Sequence, residues 1–331
     1  MRHFLSINDL SRDEAHYLLV EAGRLKNELV DNSQRQRETL AGRTLAMVFE
    51  KPSLRTRVSF DVGMYQLGGH AVYLSPQEIG LGKRETVEDV ARVLSRMCDC
   101  IMARVFTHET ALRLAEYSDV PVINGLSDVE HPCQALADLL TLRERKGLEG
   151  RTLAYIGDGN NVCHSLMLLC AKLGVRFRCA TPEGYAPQQE FVIQAQNEGE
   201  VEVLRDPLAA VRDADAVYTD VWTSMGQEEE NATRLQVFPP YQVNAQLLSH
   251  AKADAIVLHD LPARRGEEIS ADVLEGPQSV IWDQAENRVH AQKAVLVWLL
   301  NQKREHRFSA DSSGVSVETS TRLSSVPLPQ T

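Results

Sequence analysis

The sequence predicts an α/β protein of two doubly wound parallel-sheet domains with helices on both faces. Three observations predict it. Short apolar runs of strand length alternate with helical patterns along the chain, as a parallel sheet requires, because each strand is returned by a crossover. The alternation pauses at Gly147 to Gly150 and then resumes with the same layout. At 331 residues the chain is long enough for two domains of ordinary size.

Residues 8 to 30 read as a helix, capped by Asn8 or Ser11, with Leu10, Ala15, Leu18, Leu19, Ala22 and Leu25 near helical spacing. Leu45 to Phe49 is a buried strand that Pro52 ends, since proline cannot donate to a ladder. Ser53 then caps a helix with Val58, Val62 and Tyr65 on one side and Phe60, Met64 and Leu67 beside them. Gly68-Gly69 closes that helix, Ala71 to Leu74 is a strand, and residues 75 to 85 form a loop. A helix after Glu85-Thr86 sets Val87, Val90, Val93, Leu94 and Met97 on one side. Strand Ile101 to Phe106, helix Thr110 to Tyr117, strand Val120 to Asn124 and the long helix His131 to Arg145 complete the first unit.

The second unit runs strand Thr152 to Ile156, helix Asn161 to Leu173, strand Val175 to Ala180, helix Glu190 to Glu198 and strand Val201 to Leu204. A helix starts over Leu208 to Val211, followed by strands Ala216 to Thr219 and Ala255 to Leu258. A C-terminal helix from near Glu286 ends over Leu296 to Gln302. From Ser309 onward the chain is rich in Ser, Thr, Val and Pro with few large apolar residues, so 309–331 reads as a flexible tail.

Hydrophobic content of 43% and charge of 24% are those of a soluble globular protein. The net charge of −11, with no Lys/Arg block against it, argues against nucleic acid and anionic membranes as partners. An anionic substrate therefore needs a local basic pocket. Cys98, Cys100, Cys133, Cys163, Cys170 and Cys179 form no C-x-x-C pair, and most sit in apolar runs. Buried free thiols, no signal-peptide core and no membrane-length apolar stretch read as a reducing, cytoplasmic setting.

The chemistry concentrates where strands end. A strand-turn-helix junction presents unpaired N–H groups and a positive dipole end, and the one at Ser53 also carries Arg55, Thr56 and Arg57. That makes it a candidate phosphate or carboxylate site. Arg104 stands near the end of its strand, where ligands meet parallel sheets. An arginine there polarises a carbonyl or pairs with phosphate. His131-Pro132-Cys133-Gln134 opens a helix, with Pro132 in its first turn and His131 and Gln134 projecting as polar contacts. Gly157-Asp158-Gly159-Asn160-Asn161 lies where a dinucleotide turn would, without the third glycine of that fingerprint, and its asparagines suit a carboxylate or amine. Asp220 offers a carboxylate to a cation. Ser224, Met225 and Gly226 follow on a loop with a glycine hinge, which reads as a lid. His259-Asp260-Leu261-Pro262 and Arg288 complete the set. Singly, each segment is also what a solvated surface or a satisfied core residue looks like.

As an ordered set, these segments resemble ornithine carbamoyltransferase over roughly residues 1 to 305. The matching stretches are Phe49 to Arg57, His131 to Gln134, Asp158 to Asn161, Asp220 with Ser224 to Gly226, His259 to Pro262, and Ala285 to Arg288. The resemblance implies carbamoyl transfer from carbamoyl phosphate to the side-chain amine of L-ornithine, giving citrulline and phosphate, in arginine or citrulline metabolism. It implies interdomain helices, no metal or organic cofactor, and a homotrimer with active sites at subunit boundaries. It implies a carbamoyl-phosphate domain of residues 1–145 plus 286–308 and an ornithine domain of residues 150–285. By matched position, Ser53, Leu54, Arg55 and Thr56 hold the phosphate. Arg104, His131 and Gln134 grip the carbamoyl group, with Arg288 assisting. Asn161, Asp220, Ser224 and Met225 hold the amino acid.

Three positions depart from the family pattern. Leu54 stands where the family usually has Thr, which costs little if the backbone N–H does the binding. Gly80 stands where many members have Gln or His, in a loop that reaches a neighbouring subunit. Asp260 stands where the family usually has Cys, facing the acceptor amine and the carbamoyl group. A carboxylate there favours the charged amine and repels phosphate, or acts instead as a catalytic base or binds a different acceptor, and a shifted pH optimum or altered acceptor choice is expected. The rivals are a carbamoyltransferase for putrescine or a shorter diamino acid, a non-catalytic paralogue, and a nucleotide-dependent dehydrogenase resting only on the Gly157 turn.

Overall fold

The structure is a computed structural model that describes residues 1–31, 36–224, 226 and 228–301. Met225 and the 309–331 tail lie outside the described residues.

Two all-parallel sheets follow from the two alternating halves. The first has the order β2-β1-β3-β4, from β1 Thr44–Phe49, β2 His70–Leu74, β3 Cys100–Arg104 and β4 Val122–Leu126. The second has the order β7-β6-β5-β8-β9, from β5 Thr152–Ile156, β6 Arg176–Ala180, β7 Val201–Leu204, β8 Ala216–Thr219 and β9 Ile256–His259. Central strands are covered on both faces, which is why β1, β3, β5 and β8 read as continuous apolar runs. Covering one such Leu, Val or Phe contributes about 1.5–3 kcal/mol.

The main helices are α1 Arg12–Asp31, α2 Leu54–Gln66, α3 Val87–Met97, α4 His108–Glu116, α5 Pro132–Lys146, α6 Asn161–Lys172, α7 Gln189–Glu198, α8 Pro207–Val211 and α9 Ile281–Leu300. Helix α9 begins about a turn ahead of its expected start near Glu286. Its N-cap is Val280, which offers no side-chain cap, so nothing local marks the boundary. β3 ends at Arg104 and not Phe106, and residues 75–85 contain a short helix, Pro76–Ile79. Ser75 and Glu78 close a capping box there, with Ser75 N donating to Glu78 Oε2 at 2.8 Å.

Two helix faces differ from the expectation. On α2 the buried side carries Phe60 and Met64, while Val58, Val62 and Tyr65 point outward with Leu54. On α3, Val90 and Ala91 are buried, and Val93 and Met97 are exposed. Both helices carry more apolar residues than one lobe can cover.

Helix α9 packs on β9 of the second sheet and on α1, α2 and α5 of the first layer. Lys293, wholly buried on α9, donates to Leu25 O on α1 and to Gln36 Oε1 and Gln66 Oε1. Burial lowers its pKa to about 8, so three neutral acceptors solvate an ammonium that water cannot reach.

Candidate active site

Both sheets reverse their winding at one point, between β1 and β3 and between β5 and β8. Ligands of open parallel sheets sit outside the strand ends at such points. The segments at Ser53, Gly157 and Asp220 follow β1, β5 and β8, and Arg104 is the last residue of β3.

At the first switch point Ser53 caps α2, its side chain accepting from Thr56 N at 3.3 Å. The Thr56 hydroxyl accepts from Arg104 Nη1 at 3.2 Å and from Arg288 Nη2 at 2.9 Å, so one oxygen of α2 aligns guanidiniums from β3 and α9. Arg55 lies close enough to lower the pKa of Arg104 and Arg288, after burial, the main cause for both. His131 shares the same field: burial, then Arg288 and Arg104, push its pKa well below the usual value, so the ring is neutral. Arg55, Arg104, His131 and Arg288 therefore converge. Arg57 does not join them; its guanidinium lies over the Tyr73 ring at 3.9 Å from the centroid. Leu54 turns its side chain to solvent, leaving its backbone at the helix start.

Four buried polar atoms around this cluster have no hydrogen-bond partner: Arg104 Nε, Arg288 Nε, His131 Nδ1 and Gln134 Oε1. Leaving such a group unpaired costs about 1–3 kcal/mol, so four together mark a place kept for a ligand. Gln134 Nε2 is held by Asp138 Oδ1 at 2.8 Å, and Asp138 also accepts from Gln284 Nε2 at 2.7 Å and Tyr218 Oη at 3.1 Å. Gln284 Oε1 accepts from His259 N at 2.8 Å. This buried chain joins α5, α9, β8 and β9 behind the site. Burial raises Asp138 to about 7 against the pull of its three donors.

At the second switch point Asp220 is buried and accepts from Asn160 Nδ2 and its neighbour Val221 N, both at 2.7 Å. Asn160 is the N-cap of α6, accepting from Val162 N, Cys163 N and Tyr155 Oη. Gly159 sits so close to residues 186 and 187 that a Cβ would lie 2.2 Å from Pro187 N; only glycine fits that turn. Asn161 reaches back to the first lobe, donating to Ser127 O at 2.6 Å. Arg234 braces the turn through Asp158 Oδ2 at 2.8 Å. Ser224 is half-buried on the following loop. His259 is fixed by Leu261 N donating to its Nδ1 at 2.9 Å and by its Nε2 against Glu268 Oε1 at 3.0 Å. Asp260 follows, its Oδ1 buried and unpaired, facing both Asp220 and the Arg55–Arg288 side.

Sequence reading missed Asp138, Tyr218, Gln284 and Arg234, none of which had a local signal. It singled out Asn160 with Asn161 as a polar contact, but not as the N-cap of α6. Gly80 has φ +52, and a Cβ there would meet Arg84 Cβ at 2.8 Å, so the loop is shaped around glycine. Among the described residues no helix is long and apolar enough to cross a membrane.

Two family models match the chain. The aspartate/ornithine carbamoyltransferase carbamoyl-P binding domain covers residues 2–144, and the Asp/Orn binding domain covers residues 149–299. Similar proteins include the ornithine carbamoyltransferase of Pyrococcus horikoshii, 52% identical over 305 residues, which are 90% of this chain and 96% of that protein. The ornithine carbamoyltransferase of Anoxybacillus flavithermus is 54% identical over 305 residues, with the same shares of 90% and 96%. Among solved structures, ornithine carbamoyltransferase from Pyrococcus furiosus aligns with a TM-score of 0.88 at 51% identity, covering 92% of this chain and 98% of that one. That of Thermus thermophilus aligns with a TM-score of 0.82 at 45% identity, covering 91% and 99%.

Proposed function

Since the chain belongs to the aspartate/ornithine carbamoyltransferase family, we propose that it moves the carbamoyl group of carbamoyl phosphate onto the side-chain amine of L-ornithine, giving L-citrulline and phosphate. The observation that carries this reading is the Thr56 clamp: two guanidiniums on one hydroxyl, ringed by buried unpaired polar atoms and faced by a buried carboxylate.

Residues 1–145 with the chain from 286 to 301 form the carbamoyl-phosphate domain, and residues 150–285 the ornithine domain; 302–308 lie outside the described residues. The N–H groups of Ser53, Leu54, Arg55 and Thr56 and the Arg55 guanidinium take the phosphate. Arg104, Arg288 and neutral His131 face the carbamoyl oxygen, where charge builds as the tetrahedral intermediate forms. Gln134, with its Nε2 anchored on Asp138, turns Oε1 to the carbamoyl nitrogen. Asp220 pairs with the α-ammonium, and Asn161, Ser224 and Met225 complete the amino-acid site. The same carboxylate disfavours aspartate as acceptor, because it repels a second acid group.

The test is steady-state carbamoylation of ornithine, putrescine, a shorter diamino acid and aspartate, read by a colour assay for the ureido product. Ornithine is expected to give by far the highest kcat/KM. Preference for putrescine would move the assignment to that rival, and no turnover with any amine would favour the non-catalytic one. The product places the enzyme in arginine or citrulline metabolism, and the six thiols suit the reducing cytoplasm.

The active unit is a homotrimer. The support is the outward stripe of α2, where Leu54, Val58, Val62 and Tyr65 are 75%, 48%, 38% and 64% exposed beside the edge strand β2. Such a stripe is costly to leave in water. Sedimentation at three chain masses is expected, and Val62→Glu should release monomers and cut citrulline formation at micromolar concentration.

A further inference from the structure

Asp220 and Asp260 lie within hydrogen-bonding reach of each other, Asp220 buried and Asp260 with 12% of its side chain exposed. With His259 Nδ1 their oxygens form a group of donor atoms within 4.8 Å of one another. Both nitrogens of that His259 ring are already committed, to Leu261 N and Glu268, so the ring serves as a wall and not as a metal ligand. The two acids differ in company. Asp220 has two donors, Asn160 and Val221. Asp260 Oδ1 has none and lies 3.7 Å from His259 Nδ1, which itself accepts.

Other groups face the pair from every side. Tyr155 and Tyr218 do so from β5 and β8, and Asp158 from the turn after β5. Asp138 stands behind it on α5, and Arg55, Arg104 and Arg288 lie across the cleft. Two carboxylates this close and this far out of solvent do not both ionise readily without a cation next to them.

We infer that Asp220 and Asp260 act as one acid–carboxylate pair, which holds a single proton in the empty cleft, loses it when an ammonium group arrives, and leaves Asp260 ionised to deprotonate the attacking nitrogen. This rests on the carbamoyl-transfer reading above. The α-ammonium neutralises Asp220, so the shared proton leaves to solvent. The side-chain ammonium then passes one proton to Asp260. Its freed lone pair forms the C–N bond to the carbamoyl carbon, and the C–O bond to phosphate breaks with its electron pair on oxygen. The departing phosphate takes the second proton from nitrogen, and Asp260 returns its own to solvent. Asp260 stands where one carboxylate reaches both the acceptor and the Arg55–Arg288 side. Burial raises both carboxyl groups above the ordinary range, helped at Asp220 by the facing Asp260, in agreement with a retained proton.

The test uses norvaline, which is ornithine without its side-chain amine, with phosphonoacetamide in place of carbamoyl phosphate. Norvaline is titrated into enzyme already saturated with phosphonoacetamide, so that the phosphonate's own proton is not counted. Calorimetry at about pH 6, where an ordinary aspartate has no proton to give, is run in two buffers of different ionisation enthalpy. About one proton released per site is expected for the native chain, and none for Asp260→Asn or Asp260→Cys. The Asp260→Asn enzyme should also lose roughly 10²–10⁴-fold in kcat, with the acid limb of its pH profile displaced. Citrulline formation by a native preparation that releases no proton would overturn the pair alone. So would equal release by Asp260→Asn. Loss of both citrulline formation and norvaline binding would overturn the functional reading along with it.

Discussion

Arg104→Ala is expected to lower kcat by roughly 10²–10³-fold, the usual effect of removing one preorganised donor from a developing oxyanion. Arg104 ends β3 and is held on Thr56, so its direction is set before any ligand binds. In the Ala variant Thr56 keeps its bond to Arg288, and α2 keeps the Ser53 cap. The fold and the phosphate contacts should therefore survive. The signature is a large fall in kcat with a smaller change in the KM for carbamoyl phosphate, measured by steady-state citrulline formation. Equal losses in kcat and thermal stability would make the residue structural instead.

Asp220→Asn is expected to raise the KM for ornithine by roughly 30–150-fold, because one charge-assisted bond worth about 2–3 kcal/mol becomes a neutral one. The substitution is isosteric, but Asn160 Nδ2 and Val221 N donate to different oxygens of Asp220, so the amide keeps one of these two bonds. The turn at Gly157 is still held by Asn160 Oδ1, which accepts from Val162 N and Cys163 N. Under the proposed assignment carbamoyl phosphate sits across the cleft, so its KM should change little. A matching rise in both KM values would show that Asp220 organises the whole cleft and does not simply meet the amine.

The anion half of the site was legible because it is local. Pro52 ends a strand, Ser53 caps a helix, and both guanidiniums that meet on Thr56 had been singled out beforehand. The bracing behind it was not legible. Asp138 meets Gln284 across 146 residues of sequence and Tyr218 across 80, and neither spacing leaves a trace in a single chain. Strand content was plain for the buried parallel strands. Helix faces were not, since α2 carries apolar residues all round and periodicity alone does not say which stripe is inside. The start of α9 was missed for want of a cap at Val280.

Helix α9 also dictates an order of events during biosynthesis. The first sheet is fully translated once Leu126 has emerged, yet the helix that lies on α1, α2 and α5 is made only as the ribosome reaches residues 281–300. At ordinary elongation rates that is a wait of roughly ten to thirty seconds, with the apolar side of α2 uncovered in the nascent chain. The N-terminal half thus depends for completion on nearly the last residues of the structure, and a message truncated before codon 281 yields a half that cannot close.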